Sequence, residues 1–294
     1  MAMKYLIEKE NGAVSIKDFL RRKSYSANLV KRLKKIENGI TVNGVHQNVT
    51  YILKEGDVLA LRDEDFSEDT NAHLVPNDIP IEIIYEDENI TVINKPANMP
   101  THESLNNRGN SLANALAYRY REKSYVFRAT NRLDKDTSGV VITANNKYYA
   151  ALLSDKIKKG QVEKKYVAIV CGALEGEGEI DAPIDRIGKS IIKREVRDDG
   201  ERAVTRYKVL KSCEKYSLVL LTPVTGRTHQ LRVHMAHIGH AILGDGLYGE
   251  ESSEIPRQAL HCLEMNVCGI GTFKAPLSPD IKALTDKYFP DILL

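Results

Sequence analysis

From residue 79 onward the chain keeps returning to short runs of β-branched and apolar residues broken by turn formers, and this rhythm limits the folds open to it. IPIEIIYEDENITVINKP, residues 79 to 96, reads as a strand, a turn at Asp87 to Asn89, and a second strand halted by Pro96. Val140 to Thr143, Glu163 to Val170, RAVTRYKVLK at 202 to 211 and YSLVLLTPV at 216 to 224 read as further strands. Helical spacing instead marks 111 to 122, with Leu112, Ala115, Leu116 and Tyr120 on one face, Lys147 to Lys158 ending before Gly160, and about Thr228 to Ile238 with Thr228 as its cap. Strands joined by short turns, with helices between some of them, predict an α+β body built on a mixed, largely antiparallel sheet.

The first 62 residues have a different character. They hold 12 Lys and Arg against 6 Asp and Glu, whereas 63 to 70, DEDFSEDT, hold five acids and no base, and the rest of the chain is nearly neutral. The overall charge of +2 hides this division. SIKDFLRRKSYSANLVKRLKK, 15 to 35, predicts two short helices: Ile16, Phe19 and Leu20 form one apolar face, Leu29, Val30 and Leu33 the other, and Ser26 caps the second. Arg21, Arg22, Lys23, Lys31, Arg32, Lys34 and Lys35 are left on the outside. GITVNGV with its Asn43-Gly44 turn, then a strand around 51 to 61, complete a small α/β module suited to gripping phosphates. The expected organisation is a basic module at 1–62, an acidic linker at 63–78, and a main domain at 79–294.

Composition excludes several classes. No run approaches the roughly 18 apolar residues of a membrane span, and MAMKYLIEKENG has acids where a secretory signal is apolar, so a cytoplasmic protein is expected. The four cysteines include no C-x-x-C pair. Neither a phosphate-binding P-loop, a G-x-G-x-x-G nor a G-x-S-x-G occurs, so nucleotide cofactors and serine hydrolysis lack support. Four histidines at 229, 234, 237 and 240 lack the H-E-x-x-H arrangement of a zinc site, and no metal is expected.

Three stretches could carry chemistry. NRLDKDTSG, 131 to 139, sets Asp134 on a turn that runs straight into the apolar strand VVIT. It is either a turn acid accepting backbone N–H bonds from Asp136 or Thr137, or a carboxylate fixed at the core's edge for reaction. VTGRTHQLRVHMAHIGHAILGD, 224 to 245, places His229 and Arg232 three apart on a helix, where the guanidinium could pair with a buried carboxylate and favour its charged form. EKKYVAIV, 163 to 170, offers Tyr166, whose ring could stack on a base or simply pack.

In this order and at these separations the three stretches resemble the signature blocks of the pseudouridine synthases of the RluA type, over most of residues 79 to 280. Residues 14 to 62 resemble the S-four-type RNA-binding module. The resemblance implies an isomerase that converts uridine in RNA to pseudouridine without a cofactor, acting on large-subunit ribosomal RNA or on transfer RNA, and a monomer. It implies Asp134 as the catalytic carboxylate, Arg232 as its basic partner, Tyr166 stacking on the target ring and implicated in removing its C5 proton, and Arg132 filling the gap left by the extruded base. Asn131, Thr137, Arg227 and His229 are the further expected substrate contacts. Asn131 stands where the family usually has His. Two other readings remain open on the residues alone: a non-catalytic RNA-binding or ribosome-assembly factor, favoured by the basic module, and a metal-dependent RNA hydrolase built on the histidines.

Overall fold

The computed structural model describes residues 2–23, 25, 27–62, 74–104, 108–123, 125–188, 190 and 192–292. The expected Ser26 cap and residues 63–73 of the acidic linker lie outside them.

Residues 2–62 form a four-stranded antiparallel sheet with two helices on one side. Its strands are β1 (Ala2–Leu6), β2 (Ile40–Val42), β3 (Val45–His46) and β4 (Val58–Arg62), in the order β1-β4-β2-β3. The helices are α1 (Ile16–Arg22) and α2 (Ala27–Leu33). Ser15 starts α1 by accepting the Asp18 amide proton at 3.1 Å. Ile16, Phe19 and Leu20 of α1 and Leu29 and Leu33 of α2 close a small core over Ile40, Leu59 and Leu61. The hairpin between β2 and β3 turns at Asn43 (φ 51°) and Gly44 (φ 83°), both left-handed as a two-residue hairpin requires. The edge strand β1 was not foreseen from sequence. Arg21, Arg22, Lys23, Lys31, Lys34 and Lys35 are exposed, and Arg32 is half-buried.

The main body is a nine-stranded sheet. Its strands are β5 (Glu82–Glu86), β6 (Ile90–Lys95), β7 (Ser138–Ala144), β8 (Val162–Cys171), β9 (Glu177–Asp181), β12 (Val204–Ser212), β13 (Tyr216–Pro223), β14 (Leu260–Val267) and β15 (Gly271–Lys274). Their order is β5-β6-β7-β14-β8-β13-β12-β9, with β15 added against β14. Every described pairing in the sheet is antiparallel except β7 with β14. A separate two-stranded hairpin is formed by β10 (Ile184–Arg186) and β11 (Arg194–Val196). Helices α3 (Leu112–Arg119), α4 (Lys147–Lys158), α5 (Gln230–His237) and α6 (Pro279–Tyr288) complete the body. This is the mixed, largely antiparallel α+β architecture expected from the strand rhythm.

Particular limits differ from expectation. Helix α3 ends at Arg119 instead of 122, because Tyr120 leaves the helix and buries its ring, its hydroxyl 2.8 Å from that of Thr91. Thr228 is not a helix cap. Helix α5 begins at Gln230, after His229 in the left-handed region at φ 57°, with no side-chain cap; the Gln230 side chain instead ties down the preceding loop by accepting the Arg227 amide proton at 3.0 Å. Residues 74–78, expected as linker, are tied to the main body: Asn114 donates to the Val75 carbonyl at 2.8 Å, and Asn77 to that of Gly109 at 2.7 Å. The basic module meets α4 through a stack of Tyr25 on Tyr148, ring centres 4.4 Å apart.

The unforeseen β14 organises the sheet, since it runs between β7 and β8. Its register sets His261 opposite Ser138 and Cys262 opposite Gly139. Gly139 has φ +113°, and a Cβ there would run into the Cys262 backbone. Only glycine permits both the conformation and the approach. Gly139→Ala should therefore destabilise the protein by at least about 2 kcal/mol, and calorimetry should show the main transition lowered by several degrees. An unchanged transition would mean that β14 does not pass this close to β7.

Candidate active site

The turn from Asn131 to Ser138 enters β7 and is gripped from several directions. Asn131 behaves like an extra strand residue: its amide donates to the Val140 carbonyl at 3.1 Å, and its Oδ1 accepts the Ile142 amide proton at 3.0 Å. Thr101 bonds the Leu133 backbone, its hydroxyl donating to the carbonyl at 3.1 Å and accepting the amide proton at 3.3 Å. The fully buried ammonium of Lys95 donates to the carbonyls of Pro96, Met99 and Lys135 at 2.8, 2.7 and 3.1 Å. Arg257 donates to the Asp136 carbonyl at 2.8 Å and pairs through Nε with Asp280 at 2.7 Å. Gln258 donates to the buried Thr137 hydroxyl at 3.2 Å. The Asp134 backbone is thus held at both shoulders.

The Asp134 carboxylate is not a turn acid. It is about a quarter exposed, and its Oδ2 faces two side chains of the α5 region: Arg232 Nη1 at 3.1 Å and His229 Nε2 at 3.8 Å. Among the described residues no donor meets Oδ1. Arg232 in turn grips Asp245 with two bonds, Nε to Oδ2 at 2.6 Å and Nη2 to Oδ1 at 2.7 Å. Asp245 is 1 % exposed and also accepts the Leu247 amide proton at 3.1 Å. Burial works against the Arg232 charge, but the two carboxylates outweigh it and raise its pKa. Below the guanidinium lies the Tyr248 ring, its centre 5.1 Å away.

Asp134 opens into a cleft of about 570 Å³, within the usual range for small-ligand sites. Arg132, Lys164, Tyr166, Arg227, His229 and Arg232 also line it. Tyr166 is buried to 7 % exposure on β8, and burial, with Cys262 beside it and Asp134 nearby, raises its phenol well above the usual range. These surroundings oppose a phenolate. Burial also lowers the pKa of His229, although Asp134 acts in the other direction, and this favours the neutral ring.

The expected site residues therefore divide. Asp134, Arg232, His229 and Tyr166 converge on the cleft. Arg132 is exposed at its wall, and Arg227 is drawn to Glu201 at 2.9 Å and to the Arg202 carbonyl at 3.0 Å. Asn131 and Thr137 also line the cleft, but their polar groups are committed to the Val140 and Ile142 backbone and to Gln258. The four histidines of 229 to 240 do not converge: His234 bonds Thr205 and the Ala182 carbonyl, and His240 the Cys171 carbonyl. Among the described residues no group of three His, Cys, Asp or Glu is placed to hold a metal, and no helix is long and apolar enough to cross a membrane.

Sequence reading missed Lys95, Asp245, Tyr248 and Arg257. Asp245 lies 13 residues beyond Arg232, past the end of α5, where no helical spacing links the two.

Residues 89–237 match the family model described as RNA pseudouridylate synthase. An uncharacterised RNA pseudouridine synthase of Bacillus subtilis is 37 % identical over 281 residues, covering 92 % of this chain and 98 % of that one. Ribosomal large subunit pseudouridine synthase D of Xanthomonas campestris is 40 % identical over 203 residues, 68 % of this chain and 61 % of its own. Among solved structures, human RNA pseudouridylate synthase domain containing 1 superposes with a TM-score of 0.62 at 28 % identity, over 74 % of this chain and 91 % of the human one.

One support of the Asp134 turn is sensitive to acid. His261, fully buried on β14, meets the Ser138 hydroxyl through Nδ1 at 2.9 Å, and burial pushes its pKa down to about 4. The unfolded chain would bind a proton there near pH 6.5, so it takes up more protons than the folded one as pH falls through that value. Stability should be fully present above pH 6.5 and fall by roughly 3 kcal/mol as pH drops from 6.5 to 4. Urea unfolding at both ends of that window, repeated on His261→Asn, should show this acid sensitivity reduced in the variant.

Proposed function

The chain belongs to the RNA pseudouridylate synthase family and is an isomerase that converts uridine to pseudouridine in RNA, and from that premise we propose that Asp134 is its catalytic carboxylate and large-subunit ribosomal RNA its substrate. The observation that carries the assignment is the arrangement around Asp134: one carboxylate oxygen paired with Arg232, itself anchored on buried Asp245, and the other, at the cleft, meeting no donor among the described residues.

The reaction fits such a site. One glycosidic bond, from the sugar carbon to N1, is broken, and one from the same sugar carbon to C5 is made. The C5 proton goes to solvent and N1 takes one up. No electron is gained or lost and no atom added, so the work consists of extruding the base, holding it while it turns, and offering a carboxylate to the reacting sugar or base. Extrusion costs a few kcal/mol, least for an unpaired nucleotide. Tyr166, held as a neutral phenol, serves as the stacking platform for the ring. Arg132, exposed at the cleft wall, suits insertion into the vacated stack. Arg227 supplies a polar contact to the target nucleotide, His229 faces Asp134, and Asn131 and Thr137 act by shaping the turn.

Ribosomal RNA is supported by the likeness to the large-subunit enzyme of Xanthomonas campestris and by the basic module. That module, residues 1–62, is read as an S-four-type RNA grip joined to a catalytic domain through the acidic 63–70 stretch. An RNA substrate of this kind also fits a cytoplasmic location.

Asp134→Asn should abolish release of tritium from RNA labelled at uridine C5 while leaving RNA affinity within a few fold; undiminished release would remove Asp134 from the mechanism. Mapping of new pseudouridines on ribosomal and transfer RNA after reaction with the purified enzyme identifies the substrate, and product on transfer RNA alone would overturn the ribosomal assignment. For the module, log affinity for structured RNA should fall with log salt by about 0.7 to 0.9 per phosphate contact. Removal of residues 1–62 should flatten that slope and weaken capture more than it slows turnover on a short loop. Equal binding by the shortened protein would dismiss the module as an RNA grip.

A further inference from the structure

Behind His229 stands a tyrosine to which the reaction as described gives no part. Tyr248 lies in the loop after α5, half-buried, with its hydroxyl 2.8 Å from His229 Nδ1 and the two rings edge to face at 5.6 Å. The same hydroxyl accepts the backbone amide proton of Arg194, from the first residue of β11, at 3.0 Å. Its ring lies under Arg232. Tyr248 therefore touches both side chains that meet Asp134, and among the described residues neither of its partners at the hydroxyl is a carboxylate.

The proton arrangement follows from these contacts. The Arg194 amide can only donate, so the Tyr248 oxygen must accept there. Its own proton finds an acceptor in His229 Nδ1 if that nitrogen carries a lone pair. The neutral ring then bears its proton on Nε2, which faces Asp134 Oδ2 at 3.8 Å. The opposite tautomer would turn a lone pair toward the carboxylate and strand the phenol proton. Electrostatics and hydrogen-bond satisfaction select the same form.

We propose that Tyr248 is a positioning residue that holds His229 as the neutral Nε2–H tautomer, so that His229 and Arg232 together fix Asp134 Oδ2 and leave Oδ1 as the reacting oxygen. This rests on the reading of Asp134 as the catalytic carboxylate. The left-handed backbone of His229, φ 57°, is consistent with a side chain held against local preference at a working position. Without the phenol proton the ring is free to take either tautomer, and in one of them it repels the carboxylate it should orient.

The test uses the full-length enzyme. In two-bond ¹H–¹⁵N spectra of protein labelled at histidine, His229, assigned by comparison with His229→Gln, should show the Nε2–H pattern at neutral pH in wild type. In Tyr248→Phe it should move toward mixed tautomers. That variant should lose about tenfold or more in kcat, by analogy with the loss when the partner orienting a metal-bound histidine is removed, with KM for RNA within about twofold and melting within a few degrees. An Nδ1–H pattern in wild type, or a kcat for Tyr248→Phe within twofold of wild type, overturns the proposal. So does a kcat loss matched by an equal rise in KM, which would mark Tyr248 as a binding residue. If Asp134→Asn is inactive while Tyr248→Phe is not impaired, only the role of Tyr248 fails; if Asp134→Asn is active, the assignment beneath it fails first.

Discussion

The site depends on one guanidinium placed between two carboxylates. Arg232 spends its Nε and Nη2 on Asp245 and has Nη1 left for Asp134. Geometry decides which acid is the anchor. Asp245, at 1 % exposure, receives the two-pronged grip, whereas Asp134 receives a single longer bond at the cleft. A planar fork can serve three acceptors in one plane at once. Lysine, a compact point charge, can reproduce the charge but not that division. Removing Asp245 would leave the arginine buried beside a single acid, and breaking a buried pair in this way typically costs about 3–5 kcal/mol. The pairing therefore contributes to orientation as much as to charge.

The scaffold brings these residues together through contacts between distant segments. The Asp134 turn lies between β6 and β7, Arg232 comes from α5 and His229 from the position just before it, and Tyr166 comes from β8. Strand β14 joins two of these by running between β7 and β8, parallel to the first and antiparallel to the second. Its approach is close enough that Gly139 must lack a side chain. Lys95 and Arg257 add the remaining fixation, each aiming donors at backbone carbonyls of the turn, Lys135 and Asp136 respectively. Neither cation is needed in the cleft. Each replaces the regular backbone pairing that an irregular turn cannot provide for itself.

This explains what was legible in the sequence. Patterns written over a few residues were readable: α4 occupies Lys147–Lys158 as its spacing indicated, and Asn43-Gly44 makes the hairpin turn. The local settings of Asp134, Tyr166 and Arg232 left a turn acid and a packed tyrosine equally open, and it was the order and spacing of the three blocks, in their resemblance to the family's signatures, that marked them out. Asp245 and Tyr248 were not visible, since their partners lie 13 and 19 residues earlier across the end of a helix. Strand β14 escaped notice because a strand covered on both faces need not alternate: LHCLEMNV carries His261 and Cys262 side by side, both buried. The side chain of Asn131 looked like a substrate contact until its two ends were found on Val140 and Ile142.

The distribution of charge in the cleft leads to one last step. Burial keeps Tyr166 protonated and favours neutral His229, while Arg232 is neutralised by its two acids taken together with one negative charge to spare. Within this trio that spare charge faces the cleft at Asp134 Oδ1, which meets no donor among the described residues, whereas Glu103, the other carboxylate lining the cleft, already accepts from the Gly109 amide and Asn114. A neutral pyrimidine stacked on Tyr166 would meet that negative oxygen. Under the proposed mechanism this favours build-up of positive charge at the sugar carbon, as its bond to N1 stretches, over any competing charge separation elsewhere in the ring. A phenolate at Tyr166 would add a second negative site and blur that preference. On this argument a base role for Tyr166 would require the substrate itself to change the surroundings of the hydroxyl.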